Sequence, residues 1–237
     1  MNREQGTGNR EQGTGNRKWG IGNGDSLTCS VLFFPFPISH FPFPIYSLKS
    51  EIRKQVLARR DALSAAARKS CSSLITKRLL VLDAYRSASC VMAYATFGSE
   101  FETGDFIADL LAHGKKLVLP RVERGSRVLT LHEVQDPRLQ LEAGVWGIPQ
   151  PRADLCPVVP ASQLEFVLVP GVAFTARCER LGYGGGFYDR FIGGLVSRPA
   201  LIAAAYSVQV VPELPISESD QRVERVITES AVYRHTE

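Results

Sequence analysis

Residues 180–190 read Arg-Leu-Gly-Tyr-Gly-Gly-Gly-Phe-Tyr-Asp-Arg, and this run restricts the fold more than any other stretch of the chain. Gly182, Gly184, Gly185 and Gly186 give a backbone free to take positive φ and to approach a ligand closely. The abrupt change to Phe187-Tyr188-Asp189-Arg190-Phe191-Ile192 predicts a helix beginning there. A glycine loop feeding a helix start turns unpaired N–H groups and the positive end of the peptide dipoles toward an anion. Arg180 and Arg190 flank the loop with permanent charge, and Asp189 adds a hard oxygen ligand of the kind a phosphate-bound Mg²⁺ accepts. A tight surface turn would use the same glycines. The run is not a Walker A loop, because no Gly-Lys-Ser/Thr follows. Nor is it Gly-x-Gly-x-x-Gly, because Phe187 holds the third glycine position counted from Gly182. A phosphate cradle of another kind is the sharper reading.

With 237 residues the chain has room for one α/β domain and a sizeable core. A net charge of +4 suits an anionic ligand without demanding nucleic acid. Cys29, Cys71, Cys90, Cys156 and Cys178 are scattered with no Cys-x-x-Cys pair, which argues against a zinc site and a disulfide framework. Reduced thiols and a cytoplasmic location are expected. No apolar run approaches the length of a membrane span.

Residues 1–47 differ in kind from the rest. The heptad at 2–8 is repeated at 9–15, and a Phe-Pro-Phe-Pro-Ile motif occurs at 34–38 and again at 41–45. Such copies carry neither a helical nor a strand period, so they read as a disordered low-complexity tail. They lack the pattern of a signal peptide. The heptad duplication suggests translated upstream DNA from a misplaced start, with a single domain at 48–237.

Within that domain, Ile52, Val56, Leu57 and Leu63 form one stripe of a helical pattern over 48–70. Ser64 is placed to start a second helix over 65–82, with Leu74, Ile75, Leu79 and Leu82 inward. Residues 89–95 read as a buried strand, and Thr103 as the N-cap of a helix over 105–113 ending at Gly114. A strand at 116–119 is expected to stop at Pro120, and 128–133 alternates like an antiparallel strand. A Pro- and Gly-rich loop runs from 136 to 160. Buried strands follow at 166–169 and 201–206, a helix at 187–197, a helix or loop near Val208, and a last strand at 225–228. Strands alternating with helices predict a three-layer α/β/α sandwich with a mostly parallel sheet. Ligands in such folds sit at the C-terminal ends of the strands, where the loops at 96–102 and 169–189 both fall.

The glycine run has company. Lys49-Ser50-Glu51-Ile52-Arg53 opens the domain, and Gly98-Ser99-Glu100-Phe101-Glu102-Thr103 follows the first strand. Trp146-Gly147-Ile148-Pro149-Gln150-Pro151 lies in the long loop, and Val169-Pro170-Gly171-Val172-Ala173-Phe174 precedes the glycines. Gln209, Leu214-Pro215 and Asp220 lead to Val226-Ile227-Thr228-Glu229. In this order the set resembles the 5-formyltetrahydrofolate cyclo-ligase (5,10-methenyltetrahydrofolate synthetase) family over residues 49–229. The resemblance implies a fold of the broad sugar-phosphate isomerase and CoA-transferase-like group. It also implies ATP- and Mg²⁺-dependent closure of 5-formyltetrahydrofolate to 5,10-methenyltetrahydrofolate, with release of ADP and phosphate.

Matched motif by motif, the resemblance gives Lys49 and Arg53 to the ATP phosphates. It gives Arg180, Leu181, Gly182, Tyr183, Gly184, Gly185, Gly186, Phe187 and Tyr188 to the nucleotide, with 183–187 also beside the folate. Ala95, Glu100 and Trp146 fall to the folate, Asp189 and Asp220 to Mg²⁺, and Tyr188 with Arg180 to the chemical step. Plainer readings stand beside these: a solvated helix face for Lys49 and Arg53, a capping acid for Glu100, a buried structural Trp146, a turn acid for Asp220, and simple helix packing for Tyr188. Thr175 stands where Asp is common in the family, Cys178 where Gly is frequent, Tyr183 where many members have Arg, Gly185 where some have Lys, and Ser219 where His or Asn is common. A folate-binding protein without catalysis, a basic nucleic-acid module and a sugar-phosphate isomerase are the rival readings. The presence of both acids and the nucleotide loop favours the enzyme. A monomer acting on a small molecule, with no nucleic-acid or membrane partner, is expected.

Overall fold

The computed structural model describes residues 45–123 and 125–235; the predicted tail at 1–47 lies outside these up to residue 44. The chain opens with α1 (Ile45–Asp61), three residues before the predicted domain start, and α2 (Ala65–Leu80). Ser64 caps α2 as expected, its Oγ accepting from the Ala67 N–H at 3.1 Å. The short α3 (Asp83–Ser87) leads into β1 (Cys90–Met92), α4 (Gly104–Ala112), β2 (Lys116–Val122) and β3 (Leu129–Glu133). Then come α5 (Pro137–Gln140), a hairpin of β4 (Leu141–Ala143) and β5 (Pro149–Pro151), β6 (Phe166–Leu168), and the paired β7 (Ala173–Phe174) and β8 (Arg180–Leu181). The chain continues through α6 (Phe187–Gly193), β9 (Ala200–Ala204), β10 (Arg225–Ile227) and β11 (Val232–Arg234).

The main sheet has the order β11-β10-β9-β6-β1-β2-β3. The central pairings from β10 to β2 are parallel, and only the edge strands β3 and β11 run antiparallel. Strands β1 and β6 are buried at every residue, as a sheet covered on both faces requires. Alternate strand residues feed two cores. Val91, Leu117, Phe166 and Ile202 pack under α2 and α4, whereas Met92, Val118, Val167 and Ala203 face the side carrying α6. The three-layer expectation holds. Helix α1 packs through Val56 against Val172, Leu181 and Leu214. No helix among the described residues is long and apolar enough to cross a membrane.

Several local expectations are corrected. Strand β2 runs through Pro120 rather than stopping there. The Val118 carbonyl accepts from Ala93 N–H on the β1 side, so residues 118, 120 and 122 turn their backbone groups that way, and β1 has already ended at Met92. The missing proline N–H therefore costs no ladder bond. Leu74 is 45% exposed instead of inward, while Ile75 and Leu79 are fully buried. Thr103 sits at the N-cap of α4 but does not cap it with its side chain, whose Oγ1 donates to the Tyr94 carbonyl at 2.9 Å. The helix predicted over 187–197 ends at Gly193-Gly194.

Candidate active site

Strand β1 adjoins β2 on one side and β6 on the other, and the chain leaves β1 and β6 in opposite directions across the sheet. That is a topological switch point, where an open α/β sheet forms its ligand crevice. A cleft of about 400 Å³ lies there, lined from β1 by Tyr94, Ala95, Phe97 and Glu100, from β2 by Pro120 and Val122, and from β6 by Pro170. The glycine loop closes one wall with Gly182, Tyr183, Gly185, Gly186 and Phe187, and Arg180, Tyr188 and Asp189 line it as well. The β4–β5 hairpin supplies Trp146, Ile148 and Gln150.

Glu100 is the acid at this cleft that is buried away from water, 8% exposed. Its Oε2 accepts from the Phe97 N–H at 3.0 Å, which closes the turn at 97–100 and caps no helix, and its Oε1 accepts from the Tyr183 hydroxyl at 2.5 Å. Burial pushes the Glu100 pKa up, against the pull of Tyr183, the Phe97 amide and the nearby Arg60. Among the described residues the Tyr188 hydroxyl, which is buried, has no hydrogen-bond partner, and neither has Arg180 Nε. Burial, reinforced by the Glu100 charge, holds the Tyr188 phenol well above its ordinary pKa, so it stays a proton donor. Two unpartnered donors beside a cleft are what a polar ligand would satisfy.

Trp146 is not a buried structural residue. It is 67% exposed at the cleft mouth, in a left-handed turn (φ 60°), and meets Phe187 edge-to-face at 6.2 Å. Gly184 (φ 102°) and Gly186 (φ 67°) take the positive φ that the loop needs. Cys178 also has positive φ (61°), a left-handed backbone that favours glycine.

Lys49, Arg53, Leu181, Gly184 and Asp220 do not line the cleft. They gather on the other side of the glycine loop. Arg53 Nε donates to the Gly182 carbonyl at 2.7 Å, and a Cβ on Gly184 would sit 3.6 Å from the Arg53 guanidinium carbon. Burial lowers the Arg53 pKa, offset in part by Asp220. Lys49 Nζ donates to Asp220 Oδ2 at 2.5 Å, and Ser217 donates to the same oxygen through its amide (2.6 Å) and hydroxyl (2.9 Å). Burial raises the Asp220 pKa, but Lys49 and Ser217 outweigh it and hold the carboxyl below its usual range. Leu181 is a core residue packed with α1. Its side chain therefore supports the loop.

Asp189 Oδ1 accepts from Arg180 Nη2 at 2.5 Å and from the Gln221 N–H at 3.1 Å. Gln221 follows Asp220, so this bond brings the loops of the two acids side by side. Among the described residues no group of three His, Cys, Asp or Glu forms a self-sufficient metal cage. Asp189 lines the cleft and Asp220 is paired with Lys49 on the adjoining loop, and a Mg²⁺ held chiefly by phosphate and water needs only one or two such carboxylates.

A model of the 5-formyltetrahydrofolate cyclo-ligase family matches residues 46–229, most of the chain. The chain belongs to that family. Cyclo-ligase relatives include the mouse 5-formyltetrahydrofolate cyclo-ligase, 27% identical over 79% of this chain and 96% of its own. The Escherichia coli cyclo-ligase is 30% identical over 74% of this chain and 97% of its own. Among solved structures, the Aquifex aeolicus 5,10-methenyltetrahydrofolate synthetase superposes with a TM-score of 0.70 at 32% identity, covering 80% of this chain and 94% of that one. A Mycoplasma pneumoniae synthetase at 22% identity shares the fold, with a TM-score of 0.63.

Sequence reasoning gave no role to Tyr94, which lines the cleft, or to Arg60, which donates to the Tyr183 hydroxyl at its edge. Tyr94 and Arg60 carry no motif. Arg60 was nonetheless detectable, because on an α-helix it falls within about 40° of Lys49 and Arg53.

Proposed function

We propose that this chain closes 5-formyltetrahydrofolate to 5,10-methenyltetrahydrofolate at the expense of ATP, releasing ADP and phosphate. The observation that carries the reading is the cleft at the β1–β6 switch point, walled by the glycine loop and ending on the buried Glu100, in a chain of the cyclo-ligase family. Glu100 accepts N–H bonds from the polar edge of the pterin. Ala95 borders the ring, and Trp146 and Phe187 cover it at the mouth.

The formyl oxygen is a poor leaving group. Transfer of the γ-phosphoryl group to that oxygen expels ADP and converts the oxygen into part of a good leaving group. N10 then attacks the formyl carbon, the C–O bond breaks with loss of phosphate, and N10 gives up its proton. Little covalent chemistry falls to the protein, which positions the reactants and neutralises charge. Lys49 and Arg53 hold phosphates together with the loop 180–188. Arg180 Nε and the Tyr188 hydroxyl, both unpartnered, donate to the oxygens that gain charge. Asp189 and Asp220 would hold Mg²⁺, whose contribution is neutralisation of phosphate charge. The monomer is the proposed working unit, with 48–237 as its catalytic domain.

The test is full-length protein with 5-formyltetrahydrofolate and ATP, with and without Mg²⁺, followed by methenyl product absorbance. Product that requires both ATP and Mg²⁺ is expected. Folate binding, seen as tryptophan quenching that Trp146→Phe removes, without turnover would leave a binding protein on the same scaffold.

A further inference from the structure

Arg60 belongs to none of the motifs that mark the site, yet it is among the most buried cations in the chain, 4% exposed. It projects from the last turn of α1. Its Nη1 donates to the Tyr183 hydroxyl oxygen at 2.8 Å, and that hydroxyl donates to Glu100 Oε1 at 2.5 Å. Its Nε donates to Ser99 Oγ at 2.9 Å, and Ser99 in turn donates to Asp61. The guanidinium lies 5.8 Å from the Tyr183 ring centroid. A phenol has one proton to give. With a guanidinium occupying its acceptor side, that proton is directed to the carboxylate.

From this geometry we infer that Arg60 is a positioning residue for the folate site: through the Tyr183 hydroxyl it holds Glu100 ionised and oriented, without touching substrate itself. The inference rests on the reading of Glu100 as the pterin acceptor. The charged and titratable groups around Glu100 are Arg60 from α1, Tyr94 beyond β1, Tyr183 in the glycine loop and Tyr188 on α6. Of these only Arg60 brings positive charge. Burial raises the Glu100 pKa, and Arg60 opposes it. A second consequence follows from the helix. Lys49 and Arg53 reach Asp220 and the glycine loop from the same face of α1, so one helix sets both the phosphate side and the folate side of the loop.

The experiment is steady-state kinetics of full-length wild type, Arg60→Met, Arg60→Lys and Tyr183→Phe across pH. Wild-type turnover is the control that tests the functional reading separately. Arg60→Met should raise the folate KM roughly tenfold, the scale of one charged hydrogen bond, and leave the ATP KM within about twofold. Because Arg60 favours the charged carboxylate, its loss should move the acid limb of folate kcat/KM to higher pH, with activity recovering as pH rises. Arg60→Lys should restore the position of that limb, since it keeps the charge. Tyr183→Phe removes one oxygen from a half-exposed residue and keeps the ring, and thermal unfolding checks that the variant is folded. It should reproduce the folate defect, and the double variant should be little worse than either single. The inference is overturned if Arg60→Met shifts both KM values equally with an unmoved acid limb. An unchanged folate KM in Tyr183→Phe overturns it as well.

Discussion

Tyr188→Phe should make this protein more stable and less active. The hydroxyl is buried without a partner among the described residues, while the ring packs edge-to-face on Phe191 at 6.4 Å. An unsatisfied buried polar group costs about 1–3 kcal/mol, and removing it while leaving the ring in place returns part of that. A gain of about 1 kcal/mol is expected, which for a domain of this size raises Tm by about 2–4 °C. The same hydroxyl is the donor proposed for the charge that develops on the formyl or phosphoryl oxygens. Loss of one such preorganised donor lowers kcat about a hundredfold. Burial and the Glu100 charge keep the phenol protonated well past neutral pH, so the deficit should be the same at every pH where the protein is folded. Calorimetry of the ligand-free protein and product absorbance under saturating substrates measure the two effects. A lower Tm would show that the hydroxyl already has a partner, and an unchanged kcat would show that it faces nothing in the reaction. Either result refutes the argument.

Three further outcomes are expected. Asp189→Ala leaves the Arg180 guanidinium, whose side chain is 2% exposed, without its carboxylate. Breaking such a pair costs about 3 kcal/mol, so thermal unfolding should show a Tm lower by roughly 10 °C together with lost turnover. Because burial raises the Glu100 pKa, folate kcat/KM should fall on the acid side at a pH above the ordinary carboxylate value of about 4.3. Glu100→Gln should abolish that limb and raise the folate KM but not the ATP KM, as initial rates over a pH series would reveal. The folded Asp220 pKa lies below its unfolded value because Lys49 and Ser217 outweigh burial. Its contribution to stability is therefore complete above about pH 4 and lost as pH falls through the folded pKa. Urea unfolding should show that loss in wild type and a smaller one in Lys49→Met.

Much of the scaffold was legible because its signals are local. Ser64 caps the helix it was expected to cap, the apolar runs at 89–95 and 166–169 contain β1 and β6, and the run at 201–206 overlaps β9. The elements that escaped are those whose stability comes from elsewhere. β7 and β8 are two residues each and exist by pairing with one another, and β11 is a three-residue edge strand with an alternating exposure that its composition does not advertise. The Pro120 error has the same origin. A proline ends a strand only where a neighbour needs its N–H, and which neighbour is present depends on where β1 stops. Thr103 shows the converse. A residue of the right type stands at the helix start, but its hydroxyl is claimed by the Tyr94 carbonyl.

The glycine run, the acids and cations around it, and the alternation of strand with helix are properties of short stretches, so the class of fold and the kind of ligand follow from the chain read in order. Pairing across the site does not. Lys49 and Asp220 are 171 residues apart, Arg53 and Gly182 are 129 apart, and Tyr183 and Glu100 are 83 apart. No local preference encodes which of the chain's cations meets which acid. That is decided by strand order, which puts β1 between β2 and β6 and brings their following loops to one crevice. Desolvation in that crevice then does what sequence cannot specify. It raises the pKa of Glu100, strands the Tyr188 hydroxyl and gives Arg60 a carboxylate to serve through a tyrosine.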